Sequence, residues 1–444
     1  MICISRPFHR FSVFLMPVIL ILLFSGCDEK KQSIITPGED NIVEFLSGEA
    51  GFTILAQLIE DSALKNTLSG SAKHTIFAPT DAAFAKLPGG YLDELTTAQK
   101  TEIVRYHIIS GTVQIGNENY NEKRQSLQGD ELFITVLGPQ AKVNNSAALT
   151  SKNKTVSNGV VHAVDQLLLP DSYGTIGANL KKRYEYSGYY MMLEELNVIE
   201  LLDNNGPISF VMPPVDILND ITNAWIAMGL NTEQKTEIWK YHIIDQDITG
   251  FNVGTRMALE TMMGDSLYLT VPSQGKYIFN CCSDLQGTTT PVIASKNGVI
   301  YKWDGLLYPD KYTGVLTLMD KRFYLTTIRV GFAAAKMTGR MYNALSNGEE
   351  RFTVFIPKND TPGLENLPAG EEELANILKY HVLLEKLTAD QLQHNQSYTT
   401  WQGEQITIAR NGDLITINGT ATIKIADLEG NNGVVHVIDG LLLP

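Results

Sequence analysis

A single phrase closes three successive stretches of this chain, and it constrains the fold more than any local propensity. It reads Asn158-Gly159-Val160-Val161-His162-Ala163-Val164-Asp165-Gln166-Leu167-Leu168-Leu169-Pro170, and it returns from Asn297-Gly298-Val299-Ile300-Tyr301 to Pro309 and from Asn432-Gly433-Val434-Val435-His436 to Pro444. Other landmarks keep the same step. Tyr106-His107, Tyr241-His242 and Tyr380-His381 lie 135 and then 139 residues apart, as do Gly129-Asp130, Gly264-Asp265 and Gly403-Glu404. An earlier element, His74-Thr75-Ile76-Phe77-Ala78-Pro79-Thr80-Asp81, recurs in looser form from Ile208 to Asp216 and from Phe352 to Asp360. Solenoid repeats run to only a few tens of residues, so this period describes whole domains in tandem. Units of this length bury enough surface to hold a core of their own.

Within the first unit, Phe52, Ile54, Leu55, Leu58 and Ile59 recur at helical spacing, and Leu64 and Leu68 continue after a break. His74 to Ala78 reads as a short strand closed by Pro79, which cannot continue a central strand. Asp81 stands where a helix N-cap belongs. Thr97 to Ile109 predicts a strong helix with Ile103, Tyr106 and His107 on one face, nearly copied from Thr232 to Ile244. The period then changes. Leu132, Ile134 and Val136 alternate after Gly129-Asp130, as do Leu267, Leu269 and Val271 after Gly264-Asp265, and Ile406 and Ile408 after Gly403-Glu404. These predict half-buried strands entered by tight turns. In the closing phrase Asn-Gly predicts a turn with positive φ leading into a β-rich run. Helices first and strands afterwards make an α+β unit.

The chain begins with a basic segment (Arg6, Arg10) and an apolar run from Val13 to Phe24. That run is shorter than the roughly 20 residues a membrane-spanning helix needs, and it fits the apolar core of a secretory signal. Leu23-Phe24-Ser25-Gly26-Cys27 resembles a bacterial lipobox, in which Cys27 is lipidated and becomes the new N-terminus; the alternative is an ordinary cleaved signal with an incidental cysteine. The polar tether Asp28-Glu29-Lys30-Lys31-Gln32-Ser33 resembles the export signal of surface lipoproteins. Loss of Arg6 and Arg10 with the signal takes 35 basic residues to 33 against 49 acidic ones, a net charge of −16. Such a balance excludes nucleic acid as a natural partner, because phosphates demand clustered Lys and Arg. Cys281 and Cys282 are adjacent, a spacing that suits neither an unstrained disulfide nor a metal site, and they read as reduced thiols.

The strand leading to Phe77-Ala78-Pro79-Thr80-Asp81, the helix ending in Tyr106-His107 and the closing phrase together resemble the conserved boxes of fasciclin (FAS1) domains. The resemblance covers the chain from about Ile42 to Pro444. It implies three tandem α+β units, each a small wedge-shaped β-sandwich packed with a group of helices. It also implies adhesion or interaction at cell surfaces, with no catalytic machinery and no obligate cofactor. The division expected is a signal peptide over 1–26, a lipidated tether over 27–41, and units over 42–170, 171–309 and 310–444. The second unit diverges most: Tyr301 stands in place of the closing histidine and Trp303 in place of a small apolar residue, and a Gly287-Thr288-Thr289-Thr290-Pro291 loop is added.

The pairs Tyr106-His107, Tyr241-His242 and Tyr380-His381 are the candidate binding motif, since the resemblance links this dipeptide to receptor binding. The other reading makes them core residues whose polar tips bond to backbone. His162 and His436 read as structural, because Tyr301 in the same place would destroy a metal-ligand set. Asp165, Asp304 and Asp439 read as turn-fixing or amide-capping residues. The sequence carries no G-x-S-x-G, H-E-x-x-H, P-loop, G-x-G-x-x-G or EF-hand pattern. The short linkers Pro170 to Gly174 and Pro309 to Thr313 predict a semi-rigid rod.

Function is therefore expected to be non-covalent binding by a lipid-anchored envelope protein, exposed on the outer membrane, with a cell-surface or matrix protein as partner. The alternative is a glycan- or nutrient-binding accessory to an outer-membrane importer, taking a polysaccharide. A purely structural envelope spacer is a third possibility. An exposed aromatic row including Trp225, Trp239, Trp303 or Trp401 would favour glycan; a broad apolar patch would favour protein.

Overall fold

The computed structural model describes residues 39–280, 291–325, 345 and 350–444. The fold is α+β, with three tandem units that repeat one plan. In the first, helices Ile42–Gly48, Thr53–Glu60 and Leu64–Ser69 precede strand His74–Pro79, and helices Asp81–Phe84 and Thr97–Tyr106 precede the remaining strands. The last of these helices begins with a reciprocal cap: the Thr96 hydroxyl accepts from the Gln99 N–H while the Gln99 side chain accepts from the Thr96 N–H. Asn231 and Gln234 repeat it in the second unit. Two local expectations shift. The helix stops at Tyr106, and β-branched Ile108 and Ile109 leave it to pair antiparallel with Ile76 and Thr75. The cap at the short helix is Thr80, whose hydroxyl accepts from the Ala83 N–H; Asp81 instead reaches back to accept from the Thr53 and Ile54 N–H groups.

Two distant landmarks pair in the interior of each sheet. His74–Pro79 pairs in parallel with Gly159–Val164, residue for residue from His74–Gly159 to Pro79–Val164. Ile208–Met212 pairs likewise with Gly298–Lys302, and Phe352–Pro357 with Gly433–Ile438. The close approach of these strands accounts for the glycine of the closing phrase. A Cβ at Gly159 would lie 2.0 Å from the His74 carbonyl oxygen, at Gly298 2.1 Å from that of Ile208, and at Gly433 2.4 Å from that of Phe352. Positive φ is not the reason in the first and third units: neither Asn158-Gly159 nor Asn432-Gly433 adopts it, and only Gly298 does, at 155°. The turn glycines Gly129, Gly264 and Gly403 do have positive φ.

The first and third units each carry a seven-stranded sheet. Shifts of register between Ala147–Val156 and Gly159–Val164 curl it, so that Glu131–Leu137 packs back over this parallel pair. Alternate side chains of strand His74–Pro79 therefore enter two cores. Ile76 and Ala78 pack with the helices, while Phe77 packs with Tyr106, Leu132, Ile134 and Val136 between the two halves of the sheet. Among the described residues, the second unit shows a three-stranded and a four-stranded sheet on the same plan.

The strand after each Gly-acid turn departs from simple alternation in two units of the three. Phe133 and Tyr268 point outward yet are 0% and 7% exposed, whereas Thr407 at the same place is exposed as alternation requires. The difference has a cause outside the unit: the following unit packs on Phe133 and Tyr268.

Candidate functional site

The Tyr-His pairs are brought to one place in each unit, and that place is internal. Tyr106, His107, Tyr241, His242, Tyr380 and His381 are all buried. The imidazole of His107 donates from Nδ1 to the Ile103 carbonyl at 2.8 Å and accepts at Nε2 from the Leu168 N–H at 2.9 Å. His242 bridges Ile238 and Leu307 in the same way, and His381 bridges Ile377 and Leu442. Each histidine thus ties the end of its helix to the Leu-Leu of the closing phrase. Burial pushes all three imidazoles down to about 4 against an ordinary 6.5, since no counter-charge offsets the loss of water. They are neutral in the fold, with the Nδ1–H tautomer set by the backbone.

The tyrosine hydroxyls complete a second recurring knot. Tyr106 donates to the Glu131 carbonyl at 2.9 Å, Tyr241 to that of Ser266 at 3.1 Å and Tyr380 to that of Gln405 at 3.1 Å. Each hydroxyl also accepts from an asparagine amide: Asn144 at 3.0 Å, Asn280 at 3.1 Å and Asn418 at 2.9 Å. No motif marks these asparagines in the sequence; their recurrence at nearly the common step is the signal that identifies them. All three sit at left-handed φ between 51° and 53°, a conformation asparagine tolerates better than most residues.

The closing-phrase residues are structural ties as well. Asn158 accepts the Ile42 N–H at 2.9 Å and donates to the Leu68 and Gly70 carbonyls, and Asn297 repeats this with Ile176, Leu202 and Asn205. His162 donates to the Val113 carbonyl at 3.0 Å, and His436 to that of Leu387 at 2.9 Å. Tyr301, in the same place, meets Thr249 at 3.0 Å, so each position keeps a buried polar tip. Asp165 accepts the Ala148 N–H at 2.8 Å, and Asp439 that of Thr422 at 2.7 Å. Trp225, Trp239 and Trp303 are buried, and Trp401 stacks on Phe352 with centroids 5.6 Å apart. Cys27, Cys281, Cys282 and most of the stretch from Arg322 to Leu345 lie outside the described residues. Among the described residues, no group of three or more His, Cys, Asp or Glu could hold a metal ion, and no helix is long and apolar enough to cross a membrane.

These features define a tandem α+β module whose recurring polar residues knit strands and helices together. A family model described as the fasciclin domain matches residues 50–170, 184–309 and 331–444, most of the chain, and the chain therefore belongs to the fasciclin family. Transforming growth factor-beta-induced protein ig-h3 of Sus scrofa is 25% identical over 425 residues, covering 93% of this chain and 59% of that protein. Periostin of Homo sapiens is 24% identical over 427 residues, covering 93% of this chain and 48% of periostin. The chain thus spans about half the length of these relatives. Among solved structures, a FAS1 domain pair from the insect cell adhesion molecule Fasciclin I is similar over 58% of this chain and 96% of the pair, at 18% identity and a TM-score of 0.40.

Proposed function

We propose that this chain is a lipid-anchored adhesion or interaction protein of the cell envelope that binds a protein partner non-covalently through its tandem fasciclin units. In this reading residues 1–26 are a signal peptide, Cys27 carries the lipid, and units spanning 42–170, 171–309 and 310–444 stand outward from the outer membrane. Several acyl chains at roughly 0.8 kcal/mol per buried methylene would hold such an ectodomain durably. The protein does no covalent chemistry, and the Tyr-His pairs serve the fold rather than the ligand.

The observation that carries a protein partner is the apolar surface on the helical side of the second unit. Met191 is 65% exposed, Ile226 70% and Met228 45%. They lie on or beside helices Ser187–Glu195 and Leu218–Ala227, which meet where a Cβ at Gly188 would come 2.5 Å from Leu218. Met191, Ile226 and Met228 are large apolar side chains left exposed on or beside this pair of helices, and exposed apolar surface marks interaction sites. A glycan site calls for open aromatic faces, and the burial of Trp225, Trp239 and Trp303 favours the protein reading over it.

Crosslinking on intact cells producing the tagged chain, with identification of what co-purifies, tests this. Proteins of neighbouring cells or matrix are expected. Recovery of importer or sugar-handling proteins would instead support the nutrient-binding alternative, and protection from an impermeant reagent would refute surface display. Metabolic labelling with a fatty-acid analogue, lost in Cys27→Ala, checks the anchor.

A further inference from the structure

Where one unit hands over to the next, the same contacts appear twice. After Pro170, the Asp171 carboxylate pairs with Lys182 and, at 2.5 Å, with Arg183; after Pro309, Asp310 pairs with Lys321 at 3.1 Å and with Arg322. These cations lean on aromatic rings of the preceding unit. Lys182 lies 5.3 Å from the Tyr106 ring centroid and Arg183 5.0 Å from that of Phe133; Lys321 and Arg322 lie 5.5 Å and 5.0 Å from those of Tyr241 and Tyr268. A tyrosine within each linker donates back to the preceding unit, Tyr173 to Glu102 at 2.9 Å and Tyr312 to Glu237 at 2.5 Å. All four cations are buried, at 3% to 6% exposure.

A buried cation is costly unless a carboxylate, carbonyls and ring faces replace its water. Here they do. Lys182 and Arg183 also donate to the Leu169 and Asn179 carbonyls, and Lys321 and Arg322 to those of Tyr308 and Leu318. Burial alone would raise the Asp171 and Asp310 carboxyls, but the neighbouring Lys and Arg outweigh it and hold both below the usual range.

Comparison among the units separates what serves the fold from what serves the junction. The three units superpose in sequence at Ile42, Ile176 and Val315, whose N–H groups are taken by Asn158, Asn297 and Asn432. On that alignment the places of Lys182-Arg183 and Lys321-Arg322 hold Gly48-Glu49 in the first unit. The third unit likewise has Thr407 where Phe133 and Tyr268 stand, and Asn376 where Glu102 and Glu237 stand. The Tyr-His and asparagine knots, which serve each unit's own fold, occur in all three. At the two junctions within this sequence, the Lys-Arg pair stands on the following unit and the ring and glutamate on the preceding one.

We propose that the Asp-Lys-Arg cluster of each following unit is a plug, and that the Tyr, aromatic ring and Glu of the preceding unit are its socket. Together they form a recognition site that locks the three units in one fixed relative orientation. The tyrosine of the Tyr-His pair belongs to both knots, holding its own sheet through its hydroxyl and seating the next unit on its ring. The lock sets the spacing between whatever surfaces the units present, which decides whether a partner engages more than one at once.

Zero-length carbodiimide coupling of the unaltered mature chain tests the geometry directly. Two partly exposed pairs cross the junctions, Lys123–Glu185 at 2.7 Å and Lys311–Glu237 at 2.7 Å. Both are expected as dominant inter-unit links in peptide maps, and links scattered over unrelated Lys-acid pairs would overturn the proposal. Small-angle scattering supplies the second arm. The unaltered chain is expected to keep one maximum dimension from low to high salt, because buried pairs are weakly screened. Lys182→Glu with Arg183→Glu is expected to broaden and lengthen the distance distribution. A charge-reversed chain that keeps its circular dichroism yet scatters as the parent does would overturn the lock, as would a parent that already scatters as a broad ensemble. Should the reversed chain unfold, the carbodiimide map decides alone.

Discussion

The side-chain amide of Asn144 donates to the hydroxyl of Tyr106 across 38 residues of chain, at 3.0 Å, and its carbonyl accepts the Phe133 N–H at 3.1 Å. The asparagine thereby holds the helix that ends in Tyr-His against the outer strands of the sheet. Asn280 and Asn418 do the same in the other units.

Asn144→Ala should therefore cost about 1–3 kcal/mol, because it leaves the Phe133 N–H buried without its acceptor. The φ of 53° adds strain for alanine. Asn144→Gly, relieved of that strain, should lose less. Urea denaturation of both variants checks the order, and equal losses would argue against a backbone contribution.

The buried histidines predict acid sensitivity. His107, His242 and His381 take a proton near pH 6.5 in the unfolded chain but only near 4 in the folded one. The unfolded state binds more protons between those values, so their stabilisation is full above pH 6.5 and is lost as pH falls toward 4. The loss approaches about 3 kcal/mol per histidine. Denaturation midpoints at pH 7 and pH 4.5 measure the slope, and imidazole resonances that titrate near 6.5 in the folded protein would contradict it.

Gly159→Ala should break the parallel pairing with His74, since the new Cβ would meet that carbonyl oxygen at 2.0 Å. Overpacking typically costs 1–3 kcal/mol, and contact with backbone places this case at the upper end. Gly48→Ala, with nothing within 4 Å of its Cβ, is the control and should be near neutral by thermal melting.

On the second unit, Met191→Glu and Ile226→Glu change side chains that are 65% and 70% exposed, so stability should move by no more than about 0.5 kcal/mol. Capture of the partner in the intact-cell crosslinking experiment should fall at least several-fold. Undiminished capture would move the binding surface elsewhere.

Much of the architecture was legible because it is local or repeated. The 135- and 139-residue steps announce three units, and the Thr96–Gln99 and Asn231–Gln234 caps mark helix starts. The Thr80 cap was misassigned to Asp81 because both residues can cap, and the choice depends on Thr53 and Ile54, which Asp81 holds from 27 and 28 residues away. The glycine of the closing phrase was assigned to a turn for a related reason: its neighbour across the sheet, His74, is 85 residues distant.

Periodicity, the reciprocal Thr96–Gln99 and Asn231–Gln234 caps and the glycines of the Gly-acid turns act over a few residues, and the chain's order alone is enough to place them. Burial is a property of surfaces that meet. Leu132-Phe133-Ile134, Leu267-Tyr268-Leu269 and Ile406-Thr407-Ile408 sit at one position of one strand, yet their middle residues are buried twice and exposed once. Nothing in those triplets says that an arginine some 50 residues onward will cover the ring. Folding brings the two together, and the low-dielectric contact between them, absent from any single segment, decides the junction.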